Sequence, residues 1–379
     1  MIEAAALATP HPDIELGVDR KPLAYIACAP DAGIDGDTGL ALFMSGYGMD
    51  PLGAYPRKLL AYLANRHNCV AASVRYFGAG FQEHARHVPM PDFFTKLAEH
   101  YGLTISAPDG CDMELLLRQL AGVLRQHGVS TLHSDCRVAV IADEYNNMGF
   151  LPALDCLQVA HRLIGAHGLN RRRLFAIGSS YGGFIAALMA KLAPNTFRLV
   201  VDNSGFSSAE DDFPSVMGIQ RCWIDELSVI IVNPRGWSQS PAASNYFSPA
   251  RREIRALAEP RHIQPNTARL YAYHAEGDSV APTERKLALR EAYAGRVAYD
   301  LRIIDQASLD GRLFKTLAHG MEASLRGLFD LSYERFLADG GALGDATDFD
   351  LGSEISFPCS GENYRLRYSR NEGVRAELR

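Results

Sequence analysis

The residues Gly178-Ser179-Ser180-Tyr181-Gly182 form a G-x-S-x-G pattern. A serine hydroxyl attacks a carbonyl only when a base takes its proton, and that base works best when a carboxylate orients it. Two later stretches hold those residue types. Asp278 lies in His274-Ala275-Glu276-Gly277-Asp278-Ser279-Val280-Ala281-Pro282, and His319 lies in Ala318-His319-Gly320-Met321. Together they point to acyl transfer, with Ser180 as nucleophile, His319 as base and Asp278 as orienting acid. Glu276 and Asp202 compete for the acid role and His274 for the base. An ordinary N-cap serine would give the same short pattern at residue 180. The oxyanion of such a reaction needs donors. We expect them from the backbone N–H of Tyr181 and from the turn Ser45-Gly46-Tyr47-Gly48, with Tyr47 preferred over Gly48.

The elements around these residues decide between the two readings of Ser180. The uncharged run Leu174–Ala190 is 17 residues long, but five glycines and serines interrupt it, so it is a poor membrane span. It reads instead as a buried strand at Leu174–Ile177, a sharp turn, and a helix from about Tyr181 to Leu192 stopped by Pro194. Further strands are expected at Leu40–Ser45, which reads as buried, and at Val70–Tyr76, Arg137–Ala142, Arg198–Val201, Arg269–His274 and Val297–Ile304. Helices are expected over Tyr55–Asn65, Met113–Gln126, Leu151–Ile164, Pro282–Ala294 and Glu322–Asp339. This alternation indicates an α/β fold with a mostly parallel central sheet flanked by helices. In such a sheet the carboxyl ends of the strands share one edge, where Ser180, Asp278 and His319 converge.

The rest of the chain frames this body. Two strands, Asp13–Leu16 and Pro22–Ala29, are expected to form a hairpin at its start. Residues 79–136 read as an insertion, and about 209–266 as an inserted cap rich in Pro, Ser and aromatic residues. Trp223 and Trp237 in that cap, with Tyr246 and Phe247, are candidates to line an apolar substrate pocket; the alternative is that they pack the cap onto the body. Tyr145 and Asn146, in Glu144-Tyr145-Asn146-Asn147, are candidates for polar substrate contacts. The domain reading is 1–340 for the body and 341–379 for a linker with a small β extension. That extension has strands at Ile355–Ser360, Tyr364–Tyr368 and Val374–Leu378, and is expected to dock on the N-terminal hairpin or to pair with another chain as a homo-oligomer.

Composition excludes other classes. Among 379 residues, 38 are basic and 44 acidic, giving a net charge of −6 with no basic run, which argues against a nucleic-acid partner. An apolar content of 47% suffices for a large core. The first residues lack a basic, apolar leader. The seven cysteines, Cys28, Cys69, Cys111, Cys136, Cys156, Cys222 and Cys359, contain no CxxC, so we expect reduced, mostly buried thiols and a cytoplasmic protein. No metal or cofactor motif is present: there is no HExxH or P-loop, and His84 and His87 lack a ligand partner.

With these motifs in place, the sequence resembles the α/β-hydrolase superfamily, and within it the prolyl-oligopeptidase-like serine hydrolases and an uncharacterised bacterial branch. The likeness is carried by Ala153-Leu-Asp155 through Arg173, by Leu174-Phe-Ala-Ile-Gly-Ser-Ser-Tyr-Gly-Gly-Phe184 and by Asp278-x-Val280-x-Pro282. It spans about residues 20–338. The resemblance implies a Ser-His-Asp enzyme acting on a small-molecule ester or acyl substrate; a peptidase, an acyltransferase or a non-catalytic scaffold are the alternatives. Three departures stand out. Ser45-Gly46 replaces the family's frequent His-Gly, Ala275 stands where glycine is usual, and no β-propeller precedes the body.

Overall fold

In a computed structural model the described residues are 6–79, 124–134, 144–212, 216–224, 227–232 and 236–379. The core is an eight-stranded sheet. Its strands are β1 (Ala6–Ala8), β2 (Leu23–Cys28), β3 (Gly39–Met44), β4 (Cys69–Val74), β6 (Leu174–Ser179), β7 (Leu199–Asn203), β10 (Arg269–Ala275) and β11 (Ala298–Ile304), in the spatial order β1-β2-β4-β3-β6-β7-β10-β11. Pairing is parallel from β4 through β11, whereas β2 runs antiparallel to both β1 and β4. β3 (GLALFM) and β4 (CVAASV) are buried at every position, as both faces of a parallel sheet are covered.

Helices α1 (Ala54–His67), α2 (Phe150–His167), α3 (Tyr181–Leu192), α5 (Thr283–Tyr293) and α6 (Leu325–Ala338) flank this sheet, and α4 is the short helix Pro249–Arg255. Two apolar clusters form the core. One gathers side chains of α2 and α3, the other those of α1 and α6. The strand order, the single reversed strand and the strand–turn–helix at Ser180 define the α/β-hydrolase fold.

Most expected elements are found, with shifts of a few residues at their ends. Three differ. Asp13–Leu16 is a turn rather than a strand, because the Asp13 carboxylate accepts the N–H groups of Glu15, Leu16 and Val18 and so withdraws them from any ladder. Ala6–Ala8 pairs with β2 in its place. Within the expected cap, β8 (Ile219–Ile224) and β9 (Leu227–Val232) form an antiparallel pair, joined in parallel by β5 (Thr131–Ser134). The strand expected at Arg137–Ala142 and the helix over Met113–Gln126 lie outside the described residues, apart from helical 124–126.

The stretch Gly340–Gly352, expected as a linker, is packed. Its short helix α7 (Asp348–Leu351) carries a Thr347 capping box, and Asp348 accepts bonds from Asn195 and Thr196. The three expected C-terminal strands form a separate antiparallel sheet, β12 (Glu354–Pro358), β13 (Asn363–Ser369) and β14 (Gly373–Leu378). Along β13, burial alternates with the pleat, one face against the body and one outward. This sheet docks on the N-terminal segment and on α2. Ala376 N–H donates to His11 Nε2, Tyr368 O–H to the Leu192 carbonyl, and Gln158 Nε2 to the Val374 carbonyl. A fully buried ion pair, Arg255–Glu15 at 2.6 Å, joins the same interface, with Tyr364 and Asn147 both donating to Glu15.

Candidate active site

Ser180 stands between β6 and α3 with φ 55° and ψ −125°. A serine adopts that left-handed backbone only when its surroundings impose it. Its N–H donates to the Asn203 carbonyl at 2.7 Å, and its carbonyl accepts from Phe184 N–H at 3.2 Å. The flanking glycines permit the close approach. A methyl group at Gly182 would overlap the carbonyl oxygen of Met44, and one at Gly178 would overlap that of Gly182.

Asp278 and His319 come from the loops after β10 and β11. His319 Nε2 lies 2.7 Å from Ser180 Oγ, and His319 Nδ1 lies 2.8 Å from Asp278 Oδ2. Asp278 Oδ1 accepts the N–H groups of Val280 at 2.9 Å and Ala281 at 3.0 Å. Burial opposes the charge on Asp278, but the bonds from His319 and these amides outweigh it and hold the carboxyl below its ordinary value. An ionised carboxylate only accepts, so Nδ1 carries the imidazole proton and Nε2 faces Ser180 as an acceptor.

The competing residues are otherwise engaged. His274 is fully buried, and its Nε2 donates to the Ala281 carbonyl at 2.7 Å. It therefore helps shape the Asp278 loop, 3.7 Å from the carboxylate. Asp202 pairs with buried Lys286 at 2.5 Å and accepts from Gly205 N–H. Glu276 is exposed in the turn.

The Ser45–Gly48 turn lies against the nucleophile. A methyl group at Gly46 would stand 3.5 Å from Ser180 Cβ, and Tyr76 O–H donates to the Ser45 carbonyl. The Tyr47 and Tyr181 rings meet edge-on at 6.1 Å, with Tyr181 buried and Tyr47 half-buried.

Tyr145 and Trp237 are buried against each other, centroids 5.2 Å apart, beside the Glu15–Arg255 pair. Tyr145 O–H donates to Asp13 and accepts from Asn147, and the Arg251 and Arg255 guanidinium groups lie over the Trp237 ring. Phe247 packs on Trp237 at 5.4 Å, and Asn146 is buried. Trp237 and Phe247 thus pack on each other and under the Arg255 guanidinium. Trp223 belongs to β8, where it pairs with Ser228; its side chain lies outside the described residues, as do His84 and His87. A cleft of about 480 Å³ lies elsewhere, between α2 and α7, and its Arg171 and Arg370 are already paired with Asp350.

Two site residues escaped the sequence reading. Asn203 ends β7 and Ser204 follows it, beside the elbow. Asn203 Nδ2 donates to Ser179 Oγ at 2.9 Å and to the Gly320 carbonyl at 3.3 Å, and Ser204 Oγ accepts Gly320 N–H at 3.2 Å. The available signal was the polar string Asp202-Asn203-Ser204-Gly205 at the end of a buried strand.

Among the described residues, no group of three or more His, Cys, Asp or Glu side chains is arranged to hold a metal ion. No helix among them is long and apolar enough to cross a membrane. Cys28, Cys69 and Cys156 are buried free thiols, and Cys359 is half-buried.

No curated protein matches the chain by sequence. Solved structures with a similar fold include esterase 2 of Thermogutta terrifontis, 13% identical, covering 90% of this chain and 96% of that one with a TM-score of 0.46. Est1E from Butyrivibrio proteoclasticus is 12% identical, with 89% and 98% covered and a score of 0.46. Oligopeptidase B from Leishmania major is 11% identical, with 90% and 37% covered and a score of 0.49. A family described as "protein of unknown function (DUF2920)" matches residues 114–375, well over half of the chain, and the chain belongs to that family.

Proposed function

We propose that the chain is a serine hydrolase that cleaves an ester or activated acyl bond of a small molecule. The reading is carried by the continuous chain of hydrogen bonds from Ser180 through His319 to Asp278, at 2.7 and 2.8 Å. His319 Nε2 takes the Ser180 proton as Oγ attacks the substrate carbonyl. The tetrahedral oxyanion is held between the backbone N–H groups of Tyr47 and Tyr181. The imidazolium, stabilised by Asp278, returns the proton to the leaving group, and an acyl-enzyme remains on Ser180. Water activated by the same imidazole then releases the acid. The free thiols fit a reducing compartment, and we assign the protein to the cytoplasm.

A fluorophosphonate probe tests this reading. It should attach to Ser180 in peptide mass spectra of the wild-type protein and leave Ser180→Ala unlabelled. A folded protein that resists the probe and every member of an ester panel would overturn it. That panel should run across acyl chain lengths, acetylated sugars and aminoacyl esters, with peptides and a competing alcohol to reveal peptidase or transferase products.

A further inference from the structure

We propose that Asn203 and Ser204 are positioning residues that fix the His319 loop against the Ser180 turn. The inference deepens the serine-hydrolase reading and rests on it. Both side chains are buried at the end of β7, and neither is placed to touch substrate by any described contact. They hold both backbone polar groups of Gly320, the residue that follows His319. Ser204 Oγ accepts its N–H at 3.2 Å, and Asn203 Nδ2 donates to its carbonyl at 3.3 Å. A carbonyl only accepts, so the nitrogen of the Asn203 amide must face Gly320, which fixes the orientation of that side chain.

The same two residues hold the other loops of the site. The Asn203 carbonyl accepts the N–H of Ser180 itself at 2.7 Å, and Nδ2 also reaches Ser179 Oγ. Ser204 N–H donates to the carbonyl of Tyr273 at 2.9 Å, on the strand that leads into the Asp278 loop. One dipeptide is thus bonded to the nucleophile turn, the acid-bearing strand and the base loop. Ser204 does this at φ 54°, a left-handed backbone that costs a serine energy and persists only where surrounding contacts hold it. Gly320, at φ 79°, has no side chain to pack, so its position depends on backbone bonds. Two of its described bonds come from this pair; a third, from Ala323 N–H, lies within the loop. Loss of the pair frees the His319 imidazole to drift while leaving Ser180, His319 and Asp278 themselves unaltered as residues.

The test uses the full chain with Ser204→Gly and Asn203→Ala. The glycine variant removes the hydroxyl and relieves the positive φ, so it should fold at least as readily as the parent. We expect cooperative melting in both variants and a fall of about 10- to 100-fold in the rate of fluorophosphonate labelling of Ser180. The low-field proton resonance of His319 Nδ1–H, bonded to Asp278, should broaden or vanish in water. Parental labelling rates together with an intact resonance would overturn the inference, whatever the change in melting temperature. If the parent itself proved unreactive, the hydrolase reading would fall, and the resonance comparison would still decide on the clamp.

Discussion

Asp278 shows how this site manages a charge out of water. Burial alone would neutralise the carboxyl, yet two backbone amides and the His319 ring keep it ionised below its ordinary range. Its contribution to stability is therefore present above the ordinary carboxylate pKa and is lost only as pH falls through the lower folded value. Near neutrality acid does not remove this charge, and substitution is the way to do so. Asp278→Asn should preserve the fold and lower the labelling rate of Ser180 by about 10⁴-fold, because the wrong imidazole tautomer then faces the serine. The Ser180–His319–Asp278 chain of hydrogen bonds was legible in the sequence because each member follows a sheet strand, and strand ends share one edge. Residue type alone was less informative. Tyr145 and Trp237 are aromatic residues near the expected opening, but their surroundings are Arg251, Arg255 and Asp13. The polar string around Asn203 was readable, but its role was not, because it lies in bonds to the Ser180 turn and to the distant His319 loop.

At the scale of elements, the crossing of β6, α3 and β3 leaves no room for a side chain at its glycines. Gly182→Ala would drive a methyl group into the Met44 carbonyl. It should lower stability by about 1–3 kcal/mol or more in denaturant titrations and slow labelling of Ser180. Most of the parallel strands were legible because burial on both faces leaves nearly continuous apolar runs, as in Gly39–Met44 and Cys69–Val74. Two features broke that legibility. Asp13–Leu16 alternates like a strand, but its leading aspartate captures the amides that a ladder would need. The pairing of Thr131–Ser134 with Leu227–Val232 joins segments distant in sequence, and neither carries a signal for the other.

Across the whole molecule, the C-terminal sheet is held by buried histidines that must remain neutral. His11 is lowered from 6.5 to about 4, chiefly by burial with help from Arg20 and Arg375, and its Nε2 accepts Ala376 N–H. His262 is lowered to about 4 by burial and by Lys191, and its Nε2 donates to the Pro358 carbonyl. The unfolded chain takes up these protons first. Stability is therefore full above pH 6.5 and declines as pH falls toward about 4. For His11 the loss approaches about 3 kcal/mol, seen as a falling melting temperature across that window, and His11→Ala should flatten the slope. The Arg255–Glu15 pair is equally demanding. Glu15→Ala leaves a buried guanidinium unpaired and should cost about 3–5 kcal/mol by chemical denaturation.

That pair also sets an order of events during synthesis. Arg255 is made 240 residues after Glu15, and Tyr364, which donates to the same carboxylate, 349 residues after it. At roughly 5–20 residues per second, the Glu15 carboxylate waits on the order of 20–70 s for its last partner. The N-terminal segment gains its final bond to this carboxylate only when the last sheet has left the ribosome. Ribosome-bound chains halted before Tyr364 should therefore remain open to protease near Glu15, and released chains should not.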